Sequence, residues 1–472
     1  MERQEAEAVY EAGRERCVDF ILALEARYER LEARVEKLEA QLRRSSRNSS
    51  LPPSQDPPLG PPRAQKAPGG RGRGGQPGHE GTHRRLLPLA QVDEVEEHWP
   101  KRCARCAHAF GARERVDAAP AQRHQVAELP PIAVRVTEHR LHRLRCPACA
   151  AETRARLPSG VPQSAFGPRL EAAVATLAVR NRVSRRDTVE LIGELFGCRL
   201  ASGTVDAILE RAGEALAGSH AQLEACVRSA PAVNIDETGW RTGGRRRTLW
   251  GVLTPQAALF RIAPDRHERE AKALLGADFA GIVCSDRWWA YNYLEPAGRQ
   301  VCWAHLLRDF TAQSEGPEPE KSFGQTGLEI AGRLFAAWED FQRDGDRARL
   351  LVQVAPLERE LRPLLQRHAG KSPKYKRTRG LARNLLKTWP ALWTFTHVEG
   401  IEPTNNHAER GLRGAVIYRK LSLGSQSERG ERTTERLLSA SVTCRLQRRS
   451  LFAYFTDVLA ARIRGDPIPL LA

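Results

Sequence analysis

The chain has 472 residues, with 74 Lys and Arg against 57 Asp and Glu, a net charge of +17 and 41% hydrophobic residues. That length exceeds one compact core, so about two to four domains are expected. An Arg-rich basic chain of ordinary apolar content points to nucleic acid before an anionic membrane surface. No stretch carries the roughly 18 consecutive apolar residues of a spanning helix, and the acidic N-terminus is unlike a signal peptide. Richness in Arg, Ala and Gly with a single Met suggests GC-rich bacterial coding. A bacterial cytoplasmic, nucleoid-associated protein with no membrane partner is the expectation.

The first element is a charged helix. Ile21, Leu24, Tyr28, Leu31, Val35, Leu38 and Leu42 fall at a and d heptad positions, separated by Glu and Arg. Such a narrow seam cannot be buried by one helix alone, so residues 1–43 read as a coiled coil for self-association. The other reading is a helix packed on the rest of the chain. Residues 44–90 turn to Ser, Pro, Gly and Arg and bury too little apolar surface to fold. This basic linker either drapes along phosphates, with Arg71 and Arg73 as contacts, or only spaces two domains.

Next come two CxxC pairs, Cys103/Cys106 and Cys146/Cys149, separated by 39 residues. Cysteine pairs in a reducing compartment suggest metal, and four thiolates fill the tetrahedral shell of one structural Zn2+. The alternation at Val134, Val136, Leu141 and Leu144 predicts strands between the pairs, giving a zinc ribbon over 91–157. Unliganded thiols or a redox pair are the alternatives. Cys17, Cys198, Cys226, Cys284, Cys302 and Cys444 read as small apolar side chains.

Over residues 158–220 the spacing becomes helical. Leu170, Val174, Leu177 and Ala178 share a face, Ser184 can cap a second helix and Ser202 a third carrying Val205, Ile208 and Leu209. The outline is that of a helix-turn-helix DNA-binding module, although any small helical bundle gives the same pattern.

Beyond residue 230 strands are predicted at 232–235, 249–254 and 258–262, then a helix at 268–275 and a short buried strand at 281–284. A further strand is expected at 300–303. Acids end the first and fourth strands, at Asp236 and Asp286. This order describes the front half of a ribonuclease-H-like fold, which sets two carboxylates side by side. A third should come from a later helix. Glu409 is the candidate, after Pro403 and a capping Thr404, with Asn405 and Arg413 on its face. Three gathered carboxylates suit two Mg2+ (or Mn2+) ions about 3.5–4 Å apart in a phosphoryl displacement. Glu237, Asp265, Asp278 and Asp309 are rival acids, and each acid alone has a bland reading as a cap or an ion-pair partner.

The motifs NIDETGW at 234–240, CSDRWWAY at 284–291, QVCWAHLLRDF at 300–310 and NNHAERGLR at 405–413 resemble those of the insertion sequence 66 family of DDE transposases. The resemblance runs through nearly the whole chain, including the GGQPGH linker, the paired CxxC module and the tail. It implies that Asp236, Asp286 and Glu409 form the catalytic triad, within a catalytic domain at 221–425 carrying a helical insertion at about 311–398. A helical tail would follow at 426–472. The departure is Arg287–Trp288–Trp289, where smaller or uncharged residues are expected. Beside the triad, His305 is a supporting residue: a general base, a DNA contact or the anchor of a strand-to-helix turn. Arg410, Arg413 and Lys420 are phosphate-binding candidates, with a solvated basic face as the other reading. The implied activity is DNA cleavage at insertion-sequence ends and strand transfer into target DNA. The implied partners are terminal inverted repeats, target DNA and accessory proteins of the same element. A silent DNA-binding regulator and a nuclease that cuts without joining are the rival functions.

Overall fold

The computed structural model describes residues 9–42, 85–116, 119–370 and 375–471, so Arg71, Arg73 and the GGQPGH run lie outside the described residues. The chain divides into two compact units, 1–60 with 135–472, and 61–134. Each is taken by itself.

In the smaller unit a tight turn forms at the first CxxC pair, beside short 3-10 helices at Leu89–Gln91 and Ala112–Glu114. Cys103 N–H donates to His108 O (2.8 Å), Ala107 N–H donates to Cys103 O (2.9 Å), and Ala107 takes a left-handed φ of 59°. The second pair, in the larger unit, repeats this turn: Cys146 N–H to Ala151 O (2.8 Å), Ala150 N–H to Cys146 O (2.9 Å), and φ 58° at Ala150. Strands β1 (Arg143–Arg145) and β2 (Glu152–Arg154) flank it as an antiparallel pair. The strand predicted around Val134 and Val136 is not formed. Both side chains are exposed, so no buried face rewards their alternation.

The larger unit begins with helix α1 (Arg14–Leu42), on which Ile21, Leu24, Tyr28, Leu31 and Val35 are all exposed. Helices α2 (Pro168–Val179), α3 (Arg185–Phe196), α4 (Ser202–Ala215) and α5 (Ala217–Arg228) follow. Ser184 caps α3 as expected, accepting from Asp187 N–H at 3.1 Å. Ser202 does not cap α4: it is the first helical residue, Ala201 holds the cap position, and no side chain caps this end.

The central sheet has β3 (Ala232–Thr242), β4 (Arg245–Leu253), β5 (Ala258–Ala263), β6 (Ile282–Ser285) and β7 (Arg299–Val301) in the order β5-β4-β3-β6-β7. The first three are antiparallel, and β6 and β7 run parallel to β3. Helix α6 (Glu268–Leu275) makes the crossover from β5 to β6. The fifth strand ends at Val301, two residues short of the predicted Trp303, because Trp303 opens the next helix.

A helical block follows: α7 (Trp303–Ser314), α8 (Glu320–Asp344), α9 (Arg347–His368), α10 (Lys376–Lys387) and the short α11 (Thr394–His397). It builds its own core around Trp303, Phe310, Phe323, Leu361 and Trp393, apart from the core under the sheet. The chain then returns as α12 (Asn406–Ser422), α13 (Glu428–Leu446) and α14 (Leu451–Arg464).

Two of these last helices complete the sheet. A Cβ on Gly411 of α12 would lie 2.3 Å from Leu253 Cδ2, so glycine there lets the helix backbone close onto β4. Helix α13 seals the open edge of β5. Ala258, Phe260 and Ile262 donate their outward N–H groups to Thr443 Oγ1 (3.0 Å), Ser439 Oγ (2.9 Å) and Glu435 Oε1 (2.6 Å). Two strand residues advance about 6.8 Å and four helix residues about 6 Å, so the two periods nearly match. An edge that would otherwise template a foreign strand is thereby satisfied. Arg180 of the helical module donates to Ser441 Oγ (3.0 Å), and Gly213 of α4 sits against Thr433 of α13. Buried Val205, Ile208, Leu209 and Ala212 of α4 face this packing, which leaves its exposed surface to residues such as Ser202, Gly203 and Asp206.

Candidate active site

Parallel pairing sets Asn234 opposite Cys284, the last register pair between β3 and β6. Two residues on, Asp236 and Asp286 stand level on neighbouring chains. Asp236 shares the face of Asn234, because strand side chains alternate. That face meets the start of α12. Asn405, buried at the helix cap, donates from Nδ2 to Ile235 O (2.7 Å) and accepts at Oδ1 from Asn234 Nδ2 (2.9 Å). Its backbone N–H rests on Cys302 Sγ (3.1 Å). The predicted cap, Thr404, is therefore replaced by Asn405, whose side chain serves the strand rather than the helix. One turn later the helix presents Glu409.

The electrostatics follow from this crowding. Burial raises Asp236 well above the carboxylate range, and the negative charges of Glu237, Asp286 and Glu409 add to the effect. Burial also raises Asp286, offset in part by the Trp288 N–H that Oδ1 accepts at 2.9 Å and by Arg266, Arg299 and Arg287. Glu409 Oε1 is buried without a hydrogen-bond partner. It faces His305 Nδ1 and Arg308 Nη2, each at 3.7 Å, too far for a hydrogen bond. His305 Nδ1 also lacks a partner, and burial, then Arg308, depress the imidazole to about 4. The strand-to-helix turn itself is held by backbone, His305 N–H to Cys302 O at 3.1 Å, while the ring looks toward Glu409.

The rival acids are otherwise engaged. Glu237, on the opposite face of β3, accepts from Tyr291 OH (2.7 Å) and pairs with Arg266. Asp309 takes a two-pronged contact from Arg287 (2.5 and 2.9 Å). Asp265 receives His267 N–H (2.9 Å) and Arg269, and Asp278 is exposed. The Arg287 contact also accounts for the unusual residues after Asp286. Arg287 turns away to Asp309, and Trp288 stacks under Arg266, whose guanidinium lies 4.2 Å from the ring centre.

Asp236 and Asp286, whose proton affinity burial raises, offer the oxygen ligands that hard divalent cations take, but their ligand atoms and those of Glu409 do not all lie within 4.8 Å of one another. Among the described residues, the donor set whose ligand atoms do lie within 4.8 Å of one another is Cys302, His305 and Glu409. Burial pushes the Cys302 thiol up to about 11, so it is a poor ligand for a hard ion. Arg410, Arg413 and Lys420 are exposed along α12, and among the described residues none is paired with an acid. Sequence reasoning missed Arg266 and Arg299, which lie outside the quoted motifs, and Tyr291, which ends the CSDRWWAY motif but whose partner Glu237 is distant in sequence.

Comparison with known families now bears on the site. Residues 163–433, more than half of the chain and the whole of the acid-bearing region, match the model of "Transposase IS66 family". The chain belongs to this family. Residues 100–150 match "zinc-finger binding domain of transposase IS66", a span that holds both CxxC pairs. Residues 1–85 match "Family of unknown function (DUF6444)". Two proteins of Sinorhizobium fredii are similar over most of the chain. "Uncharacterized protein y4hP" is 26% identical over 72% of this chain and 67% of its own length. "Uncharacterized protein y4jD" is 25% identical over 80% of this chain and 78% of its own. Family membership identifies a DNA-binding transposase of a mobile element, with a zinc-finger module. No helix among the described residues is long and apolar enough to cross a membrane.

At the zinc-finger module the two turns carry the chemistry of thiolate ligands. The N–H groups of Cys106 and Arg105 hold the Cys103 thiol below its ordinary value, and those of Cys149 and Ala148 do the same for Cys146. Hydrogen bonds to sulfur favour the thiolate, the form that binds zinc.

Proposed function

We propose that the chain is an active DDE transposase whose ribonuclease-H-like core cleaves DNA at the ends of its element and joins the freed 3′-hydroxyl to target DNA. The observation that carries this reading is the parallel register that brings Asp236 level with Asp286, beside the Glu409 helix that Asn405 ties to β3. Three antiparallel strands, a crossover helix and two parallel strands support the fold assignment.

In this reading Asp236, Asp286 and Glu409 would hold two Mg2+ or Mn2+ ions. When bound, such ions stabilise the attacking and leaving oxygens of an in-line displacement at phosphorus. The protein's own residues do the rest. Asn405 fixes the Glu409 helix to β3. Arg308, close to Glu409 and without a short ion pair, is available to a phosphate oxygen. Arg410, Arg413 and Lys420 continue that positive surface along α12. Glu237, tied to Tyr291 and Arg266, braces β3 from behind.

The two CxxC turns would close on one structural Zn2+. The exposed seam of α1 would pair with a second copy and so bring two ends together, and accessory proteins of the element would join the complex. The test is a strand-transfer assay with Mg2+ or Mn2+ on DNA ends taken from the sequence flanking the gene. Wild type should join ends to target, whereas Asp236→Asn, Asp286→Asn and Glu409→Gln should bind DNA without cutting it. Full activity in any one variant removes that acid from the site. Cleavage without joining would mark a nuclease, and inert wild type that still binds DNA would mark a regulator.

A further inference from the structure

The β3–β4 hairpin carries arginines that the acids of the site do not use. Gly243 and Gly244 form its two-residue turn, both with positive φ (53° and 78°), and Thr242 pairs with Arg245 across it. Glycines suit this tight geometry, which matches the twist of the strands and so fixes their register. That register sets Arg241 directly opposite Arg246. Like charges across an antiparallel pair destabilise it unless something neutralises them.

The other face of the hairpin shows the contrast. Arg247 there meets Glu431 at 3.0 Å. Arg241, Arg245 and Arg246 are exposed, and among the described residues none of them has a carboxylate partner. Arg419, near the end of α12, likewise has no acid: its guanidinium donates to Gly239 O and to Thr238 Oγ1 (3.3 Å). A groove of about 580 Å³ lies here, lined by Trp240, Arg241, Arg246, Arg247, Arg419 and Leu423 among others.

The hairpin is also fixed relative to the Glu409 helix. Gly243 N–H donates to Ser425 O (3.0 Å), Ser425 N–H to Arg241 O (2.9 Å), and Trp240 Nε1 to Ser425 Oγ (3.3 Å). A Cβ on Gly424 would lie 2.2 Å from Arg241 O, so only glycine allows this closure. The arginines are thus presented on a rigid strand pair stitched to the chain that leaves α12.

We propose that Arg241, Arg246 and Arg419 form a phosphate-binding tract that holds the DNA backbone beyond the reaction centre. The inference rests on the reading that Asp236, Asp286 and Glu409 mark the scissile phosphate. Arg241 lies five positions beyond Asp236 along β3, about 17 Å at ~3.4 Å per residue, with its side chain on the opposite face, and Arg419 reaches from α12 to Gly239 between them. Duplex DNA advances ~3.4 Å per nucleotide along each strand, so the tract meets phosphates about five nucleotides from the cut. The planar fork of Arg suits paired phosphate oxygens, and an unshielded arginine pair gains most from a polyanion.

The test is DNA binding by the full-length, zinc-loaded protein without Mg2+ or Mn2+, followed by fluorescence anisotropy over a salt series. The probe is an end duplex taken from the sequence flanking the gene. Arg241→Ala/Arg246→Ala should lower the log–log salt slope by about two, at ~0.9 per phosphate contact, with a melting temperature no lower than that of wild type. Arg241→Lys/Arg246→Lys should retain most of the slope. A single neutral methylphosphonate about five nucleotides from the cleaved bond should weaken wild type more than the double Ala variant. An unchanged slope in the Ala variant overturns the proposal, and equal losses from the neutral linkage overturn its register. Metal-dependent cleavage by wild type is scored separately. Its failure alongside a reduced slope defeats the catalytic reading alone, whereas intact cleavage with an unchanged slope defeats this inference alone.

Discussion

Asn405 joins the strand of the first acid to the helix of the third, and its replacement tests the reasoning about the site. Asn405→Ala removes the bond to Ile235 O and the one from Asn234 Nδ2, leaving a carbonyl and an amide without partners in a closed environment. Each orphaned group costs about 1–3 kcal/mol, so the loss from the two should be roughly 2–6 kcal/mol. In a domain of this size that lowers the melting temperature by about 5–10 °C. Buried Trp240, Trp250 and Trp303 supply a fluorescence readout. Freed from β3, the start of α12 would let Glu409 drift, and a misplacement of about 1 Å costs on the order of 100-fold in rate. The expected pattern is therefore a large fall in cleavage rate with DNA affinity within about threefold of wild type, because no arginine contact is touched. Asn405→Asp should be no better than Ala. It keeps an acceptor for Asn234 but sets a carboxylate oxygen against Ile235 O and adds charge beside Asp236. An Ala variant that melts within about 1 °C of wild type and cleaves at its rate would refute the positioning role.

Three further outcomes are expected. Asp236, Glu237 and Asp286 have raised folded values, so their contribution to stability is present at low pH and is lost as pH climbs through those values. In metal-free thermal melts Asp236→Asn should gain on wild type as pH rises, and millimolar Mg2+ or Mn2+ should raise the melting temperature of wild type but not of the variant. A gain that shrinks with rising pH contradicts this sign. Purified wild type should contain one zinc per chain by elemental analysis, and Cys103→Ser or Cys146→Ser should lose most of it; full occupancy in either variant removes that thiol from the site. Glu replacing Leu24 and Leu31 should convert any α1-dependent oligomer to a smaller species in light scattering. An unchanged mass would show that the seam is not an interface.

Much of the local architecture was legible in the chain itself. Alternating apolar residues set the strands of the sheet, Ser184 announced the start of α3, and the CxxC spacing announced two identical turns, because each depends on neighbours within a few residues. The alternation near Val134 misled, since strand formation needs a partner and a buried face that sequence does not display. Candidate acids could be nominated but not ranked, because an acid's availability depends on distant side chains. Glu237 is occupied by Tyr291 and Arg266 and Asp309 by Arg287, whereas Glu409 Oε1 has only His305 and Arg308 at 3.7 Å and no hydrogen-bond partner. The choice of Asn405 over Thr404 as the cap was made by β3, whose Ile235 carbonyl needs a donor just past its last pair with β6. The opposed Arg241 and Arg246 became visible only once the register of a glycine turn set them face to face. Composition and periodicity determined which elements form and that the chain seeks a polyanion. Tertiary packing decided which charges are spent on the fold and which are left without a partner, because only close contact in space satisfies a buried charge or leaves it unmet.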